Sequence, residues 1–158
     1  MSTFISLINT IILSLLPISE LRGGIPYGIA SGLSFPLVFI VSVLANIAVI
    51  PLVFLFLDKI NFLLLGIQWY NRFFYKNLER AQHKIHKSVE KYGYLGLMIF
   101  VAIPLPATGA YTGALGAWAL GMDKKKAFYY ISLGVIIAGV IVSLAVYLGI
   151  KALSIFIN

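Results

Sequence analysis

Two uncharged apolar runs constrain the fold of this chain most strongly. Residues 36–57 and 127–150 are 22 and 24 residues long and contain no Asp, Glu, Lys or Arg. A helix of about 20 such residues crosses the hydrocarbon core of a bilayer, which is about 30 Å thick. With 61% hydrophobic and 11% charged residues, the composition excludes a disordered chain, a coiled coil and an ordinary soluble enzyme. We predict an all-α polytopic membrane protein whose residues 1–158 form a single integral membrane domain.

Shorter apolar segments precede each of these spans. Residues 4–18 are apolar but would form only about 22 Å of helix, and a polar insert at Glu20–Gly24 follows them. Residues 94–103 would form about 15 Å of helix, and Pro104–Gly109 interrupts them. Because neither segment can cross a bilayer alone, we predict two helical hairpins, at residues 4–33 and 94–121, that break at these inserts.

Both halves of the chain repeat one pattern, a broken hairpin followed by a full span. Small residues recur every fourth position after each insert, and such stripes let helices approach closely in lipid. The stripes are Gly24, Gly28 and Gly32 in the first half, and Gly109, Gly113, Ala117 and Gly121 in the second. We predict two repeats, residues 1–57 with the span 36–57 and residues 93–158 with the span 127–150.

The segment between the repeats, residues 58–92, is basic. Its cations recur every three or four positions, which places them on one helix face: Arg72, Lys76, Arg80, Lys84, Lys87 and Lys91. Aromatic residues such as Trp69 and Tyr92 flank this face. The pattern predicts an amphipathic helix on or just under the membrane surface.

Charge also predicts the topology. Cytoplasmic loops carry an excess of Lys and Arg, so the linker 58–92 and the loop Lys124–Lys126 should both be cytoplasmic in a multi-pass protein of the cell membrane. A hairpin 94–121 that enters and leaves on the cytoplasmic side satisfies both, and by symmetry the hairpin 4–33 enters from outside. This is an inverted-topology repeat with re-entrant hairpins, whose binding site is expected near the midplane where the broken helices meet.

Residues 1–19 have no basic residue or signal cleavage motif, so we expect them in the mature chain.

Glu20 and Arg22 are the charged residues within the apolar segments. An ionisable group at this depth needs a cavity or a partner, and its usual role is functional. We expect Glu20 to carry a proton or cation and Arg22 to hold an anionic group. The alternative is a local ion pair that fixes the hairpin tip.

The second break, at Pro104–Gly109, forms the opposing tip. Prolines free carbonyl groups, and the start of the next helix offers free N–H groups to an anion. Thr108 could instead cap that helix. Asn46 in the first span could form an interhelical hydrogen bond rather than contact a ligand. The predicted substrate- and ion-binding residues are Glu20, Arg22, Gly23, Asn46, Pro104, Pro106, Thr108, Gly109, Tyr111 and Thr112.

Machinery for catalysis is not visible in the sequence. It has no Cys, no Gly-rich phosphate loop and no nucleophile motif. His83 and His86 lie three residues apart but have no third ligand near them in the sequence, so we interpret them as solvated residues. We expect no enzyme activity, no metal, no cofactor and, despite the net charge of +7, no nucleic-acid partner.

Two motifs resemble a known family. Residues 20–26, Glu-Leu-Arg-Gly-Gly-Ile-Pro, and residues 103–114, Ile-Pro-Leu-Pro-Ala-Thr-Gly-Ala-Tyr-Thr-Gly-Ala, are similar to the two signatures of the putative small multidrug export protein family, and the resemblance covers essentially the whole chain. That family is in turn similar to the DedA (SNARE-associated, VTT-type) membrane proteins, which have two opposed re-entrant hairpins.

The resemblance implies transport. The DedA group is associated with polyprenyl-phosphate carrier lipids and with proton coupling. Its second hairpin carries arginines around the proline motif, whereas residues 100–109 here have none. Recognition of a phosphate headgroup would then fall on Arg22 and on backbone N–H groups.

We therefore expect a secondary transporter, coupled to a proton or cation, of a small or lipid-like anionic or amphipathic substrate. Its expected partners are membrane lipids, the transported molecule and the coupling ion. The sequence leaves open whether the chain also forms a homo-oligomer. Two alternatives remain: a non-transporting membrane scaffold or assembly factor, and a membrane-surface binding module built on the basic helix 69–92.

Overall fold

The computed structural model describes residues 3–60, 66–105 and 108–157. In these ranges the chain is helical and contains no β-strand. The α-helices are α1 (Thr3–Leu15), α2 (Glu20–Ala30), α3 (Phe35–Leu55), α4 (Gln68–Tyr92), α5 (Tyr94–Ala102), α6 (Ala110–Ala119) and α7 (Lys124–Ile157), and a π-helical turn at Phe56–Ile60 continues α3.

Two helices in the described ranges are long and apolar enough to cross a membrane, at Phe35–Lys59 and Lys124–Lys151. They contain the two runs from which the membrane class was predicted. The basic segment also contains a helix as predicted, but α4 begins at Gln68 rather than at residue 58.

The chain divides into two compact units. The first comprises residues 1–46 and 136–158. In it, α1 and α2 are packed antiparallel, because Gly24 lies against Ser14 and Gly28 lies against Thr10. The first part of α3 and the second part of α7 complete the unit and meet at Gly139, where an added Cβ would lie 2.9 Å from Val43 Cγ2.

The second unit comprises residues 47–135. Here α5 and α6 form the other helical hairpin, and α4 packs on both of its arms. The beginning of α7 joins them at Gly134, where an added Cβ would lie 2.7 Å from the carbonyl oxygen of Met98.

Lys124–Lys126 form the first turn of α7 rather than the predicted loop. Asp123 caps this helix, because its Oδ1 accepts a hydrogen bond of 2.8 Å from Lys126 N.

The first break differs from the prediction. Residues 20–24 are not a break: they form the first turn of α2, and the chain turns at residues 16–19 instead. Pro17 explains the shift, because proline commonly follows a helix end by one or two residues. Pro26 lies inside α2. The second break is where the sequence predicts it, since α5 ends at Ala102 and α6 begins at Ala110.

The two small-residue stripes are confirmed as contact surfaces in their middle positions. An added Cβ on Gly28 would lie 2.8 Å from both γ-carbons of Val38, and one on Gly113 would lie 2.6 Å from Val101 Cγ2. The last glycines act differently. Gly32 and Gly121 have φ of +81° and +64° and open space around them, so they end α2 and α6 by adopting the left-handed conformation.

We predict that Gly28→Ala destabilises the protein although alanine is the better helix former. The buried Val38 is stiff at χ1, so it cannot move both methyl groups away, and the overpacking should cost about 1–3 kcal/mol. The matched control is Gly149→Ala, because that glycine lies within α7 and has no neighbour within 4 Å of an added Cβ. The control should leave the thermal midpoint in detergent unchanged or raised, and a Gly28→Ala midpoint equal to that of the control would contradict this account of the packing.

Candidate functional site

Glu20 lies at the junction between α1 and α2. Its backbone N–H donates to the carbonyl of Leu16 at 2.9 Å, and its φ of +46° makes it the one described non-glycine residue with positive φ. This conformation is strained for a residue with a Cβ. The residue is only 6% exposed. A carboxylate is thus held out of solvent, on strained backbone, at the break of a helical hairpin.

Arg22 and Gly23 follow in the first turn of α2. Both are half-buried, in contrast to the buried Glu20. Glu20 and Arg22 are each engaged in an interaction with other groups. Gly23 provides space, because an added Cβ would collide with the Ser19 hydroxyl. Gly24 does the same for the Ser14 hydroxyl.

Asn46, which lies on α3, forms a hydrogen bond to the backbone next to the first break. Its side-chain Nδ2 donates a 3.0 Å hydrogen bond to the carbonyl of Ser14, in the last turn of α1. The interhelical alternative for Asn46 is therefore what the structure shows. The same side chain is 1% exposed, and its Oδ1 has no partner among the described residues. The hydroxyls of Ser42, Ser143 and Ser19 are also buried without a partner in that part of the chain.

A buried polar face on α1 was missed by the sequence reasoning. Ser6, Thr10 and Ser14 are 0–1% exposed and lie four residues apart. Two of the hydroxyls bond within the helix: Thr10 Oγ1 donates to the Ser6 carbonyl and Ser14 Oγ donates to the Thr10 carbonyl, both at 2.8 Å. The signal was the spacing of 6, 10 and 14, which puts three hydroxyls on the face that meets the glycines of α2.

Thr108 holds the second break together. Its hydroxyl lies 2.6 Å from the carbonyl of Ile103 and 2.8 Å from that of Leu105, and it accepts a 3.0 Å hydrogen bond from Leu105 N. The predicted alternative, that Thr108 caps α6, differs from the structure, in which Gly109 occupies the cap position. Gly109 has a φ of +142°, and a glycine is needed in that conformation.

The other predicted residues of this tip lie around the break. Pro104 is half-buried in the loop, and Tyr111 and Thr112 are half-buried in the first turn of α6. Pro106 lies outside the described residues. Glu20, Arg22, Gly23 and Asn46 belong to the first unit, and Pro104 and the residues from Thr108 to Thr112 belong to the second.

Asp58 organises a cluster that the sequence did not reveal. It lies in the π-helical turn that ends the first apolar helix. Its Oδ1 accepts a 3.0 Å hydrogen bond from Trp118 Nε1, near the end of α6, and its Oδ2 pairs with the ammonium group of Lys124, the first residue of α7. The partners are 60 and 66 residues away in sequence, so no local pattern could have indicated them.

A second contact ties the ends of the second hairpin. The hydroxyl oxygen of Tyr94, the first residue of α5, accepts a 3.1 Å hydrogen bond from the backbone N–H of Asp123. Asp123 lies just beyond the end of α6. Together with the Asp58 cluster, this contact brings the end of α3, the two ends of the hairpin and the start of α7 into one region of the second unit.

The histidines and carboxylates of the described ranges do not gather into a metal site. These ranges contain no group of three or more metal-binding side chains. His83 and His86 lie on α4, where His86 Nδ1 is 3.3 Å from a carboxylate oxygen of Glu90 and both side chains of that pair are exposed. A cavity of about 700 Å³ lies along the same helix, and none of the predicted site residues is among the side chains that line it: Glu79, Arg80, Gln82, His83 and His86.

The described ranges are all-helical and contain two helices long and apolar enough to cross a membrane, which fits a helical membrane protein. The family described as "Putative small multi-drug export protein" matches residues 20–141, more than half of the chain. The chain belongs to that family. No curated protein and no solved structure matches the chain.

We predict that Asp58→Ala destabilises the protein more than Lys124→Gln, because the first change removes two partners and the second removes one. The side chains of Asp58 and Lys124 are partly exposed, so the ion pair should contribute only about 0.2–1 kcal/mol and the Trp118 hydrogen bond about 1 kcal/mol more. Thermal midpoints in detergent measure both, with Lys125→Gln as the control at a neighbouring exposed lysine. Equal midpoints for Asp58→Ala and the control would show that the cluster is not stabilising.

Proposed function

We propose that the chain is a secondary transporter, coupled to a proton or cation, of small or lipid-like anionic or amphipathic molecules. In this proposal Glu20 carries the coupling ion. The buried, strained carboxylate at the break between α1 and α2 is the observation that supports it most strongly. The description of the family, which names export, supports the same class of activity.

Burial favours a proton-carrying role for Glu20. Removing a carboxylate from water is costly, and the cost falls when the group takes up a proton. The strained backbone adds a second cost, of about 1–3 kcal/mol for a residue in such a region. Sites that retain both costs are commonly functional, because selection for stability alone would remove them.

The helix lengths support re-entrant hairpins. Helices α1, α2, α5 and α6 have 13, 11, 9 and 10 residues, so each is about 20 Å long or shorter and too short for a 30 Å core. The contacts of Asp58 and Tyr94 support an arrangement in which the second hairpin begins and ends on the side where α3 ends and α7 begins. That arrangement places residues 58–92 and 124–126 on one side, which we propose is the cytoplasm.

The substrate class rests on Arg22. It is the first Lys or Arg of the chain, and its guanidinium group suits a carboxylate or phosphate. We extend the proposal to polyprenyl-phosphate carrier lipids, on the resemblance to DedA proteins. The N-terminus of α6, whose cap residue is Gly109, is a second group of donors for such an anion.

A membrane scaffold is the second candidate function. It is favoured by the roles of Asn46 and Thr108, since both side chains satisfy backbone groups at the breaks. In a scaffold, Glu20 and Arg22 would be needed only to neutralise each other's charge.

The test compares Glu20→Gln, Arg22→Met and the double variant in cells and in proteoliposomes. The readouts are monodisperse yield, export of a panel of amphipathic antibiotics and dyes from a hypersensitive host, and lumenal pH reported by trapped pyranine. We expect the double variant to fold, because removing both charges together leaves neither one buried without a counter-charge, and we expect all three variants to lose export. Glu20→Gln should also abolish the lumenal pH change.

The control is Glu79→Gln, which removes one carboxylate from an exposed position of α4 and should keep full activity. A double variant that regains the export lost by the single variants would identify a structural ion pair and contradict the coupling role. A folded Glu20→Gln variant with unchanged export and unchanged pH response would contradict it as well.

A further inference from the structure

Helix α4 is fixed in rotation by one buried stripe. Phe74, Ala81 and Ile85 are 8%, 2% and 0% exposed. Ile85 packs at Gly116 of α6, and the Phe74 ring meets the Trp118 ring edge-on at 6.4 Å between centroids. Near its other end, the carbonyl of Ser88 lies where a Cβ on Gly96 of α5 would be. The face opposite this stripe therefore points away from the hairpin.

The contacts also place α4 along the open end of the hairpin α5–α6. Its first turns contact Trp118, close to the end of α6, and its last residue is joined to Tyr94, the start of α5, through Gly93 alone. Trp118 in turn bonds to Asp58, where the first apolar helix ends. Both ends of α4 thus lie at the level where the apolar helices α3 and α7 meet charged residues, which is the level of the membrane interface.

The outward face of α4 combines two aromatic rings with a row of cations. Trp69 and Phe73 are 76% and 57% exposed, and their rings are stacked at 5.9 Å. They continue, at spacings of three, four or seven residues, into exposed cations on the same face: Lys76, Arg80, Lys87 and Lys91. We call these six residues the outer stripe. The outer stripe contains no acidic residue, and Glu79 and Glu90 lie on the flank of the helix beside it.

We propose that the outer stripe of α4 is a docking surface for the anionic phospholipid headgroups of the membrane in which the chain sits. Lysine and arginine attract anionic headgroups within about a Debye length, and α4 runs along that surface for about 33 Å from Trp69 to Lys91. Trp69 and Phe73 insert at the headgroup level, where amphipathic aromatic rings are favoured. Charge complementarity selects an anionic membrane over a neutral one, and docking fixes α4 against the base of the hairpin.

The experiment uses the absence of cysteine from the chain. Single cysteines replace Phe73, in the outer stripe, or Tyr75, which is 46% exposed but lies off the stripe, and each is labelled with an environment-sensitive fluorophore. The full-length protein is reconstituted in vesicles of phosphatidylcholine alone or mixed with phosphatidylglycerol. Quenching by aqueous acrylamide measures exposure of the label.

We expect phosphatidylglycerol to shield the label at position 73 severalfold and to leave the label at position 75 unchanged. High salt should reverse the shielding. A variant with Lys76, Arg80 and Lys87 changed to Gln should lose it, whereas a variant with the same charge removed at Lys59, Lys125 and Lys126 should keep it. Both variants are checked for monodispersity in detergent.

Three outcomes would overturn the proposal. Equal shielding in neutral and anionic vesicles would show an apolar contact without headgroup recognition. Equal exposure in both would show that the stripe faces solvent or another protein. Equal loss in the two charge variants would assign any lipid preference to net charge rather than to the stripe.

Discussion

Lipid cannot hydrogen-bond to a peptide group, so a helix that breaks within an apolar segment must be satisfied by the protein itself. In the proposed re-entrant arrangement, this requirement accounts for the polar contacts of Asn46 and Thr108 at the two breaks. At the first, Asn46 of α3 donates to the Ser14 carbonyl, where α1 ends. At the second, the Thr108 hydroxyl bonds to the loop from Ile103 to Leu105. One break is satisfied from another helix and the other from within its own loop.

The same requirement separates structural from functional residues. Asn46, Thr108 and Gly109 are accounted for by the backbone that they satisfy or permit. Gly23 and Gly28 are accounted for by the side chains that they admit. Glu20 is different in kind, because a carboxylate adds a charge to a buried, strained position where a neutral side chain would be less costly. The proposed coupling role therefore rests on this residue more than on any other.

The sequence predicted the parts of the fold that depend on long or local patterns. The uncharged runs predicted both apolar helices, and the Pro104–Gly109 segment predicted the second break. The predicted position of the first break is wrong by a few residues, because α2 tolerates Gly23, Gly24 and Pro26, whereas α1 ends two residues before Pro17. Of the candidate site, the buried position of Glu20 followed from its apolar context. Its left-handed backbone did not, and neither did the Asp58 cluster, which joins residues 60 or more positions apart.

The sidedness of three exposed positions tests the inverted, re-entrant arrangement most directly. Single cysteines at Ser34, Lys87 and Lys125 would be labelled with a membrane-impermeant maleimide in intact cells and in inverted vesicles. The account predicts that positions 87 and 125 react from the cytoplasmic side and position 34 from the outside. If positions 87 and 125 react from opposite sides, residues 94–121 cross the membrane, and the paired re-entrant hairpins on which the proposed transport site depends do not exist.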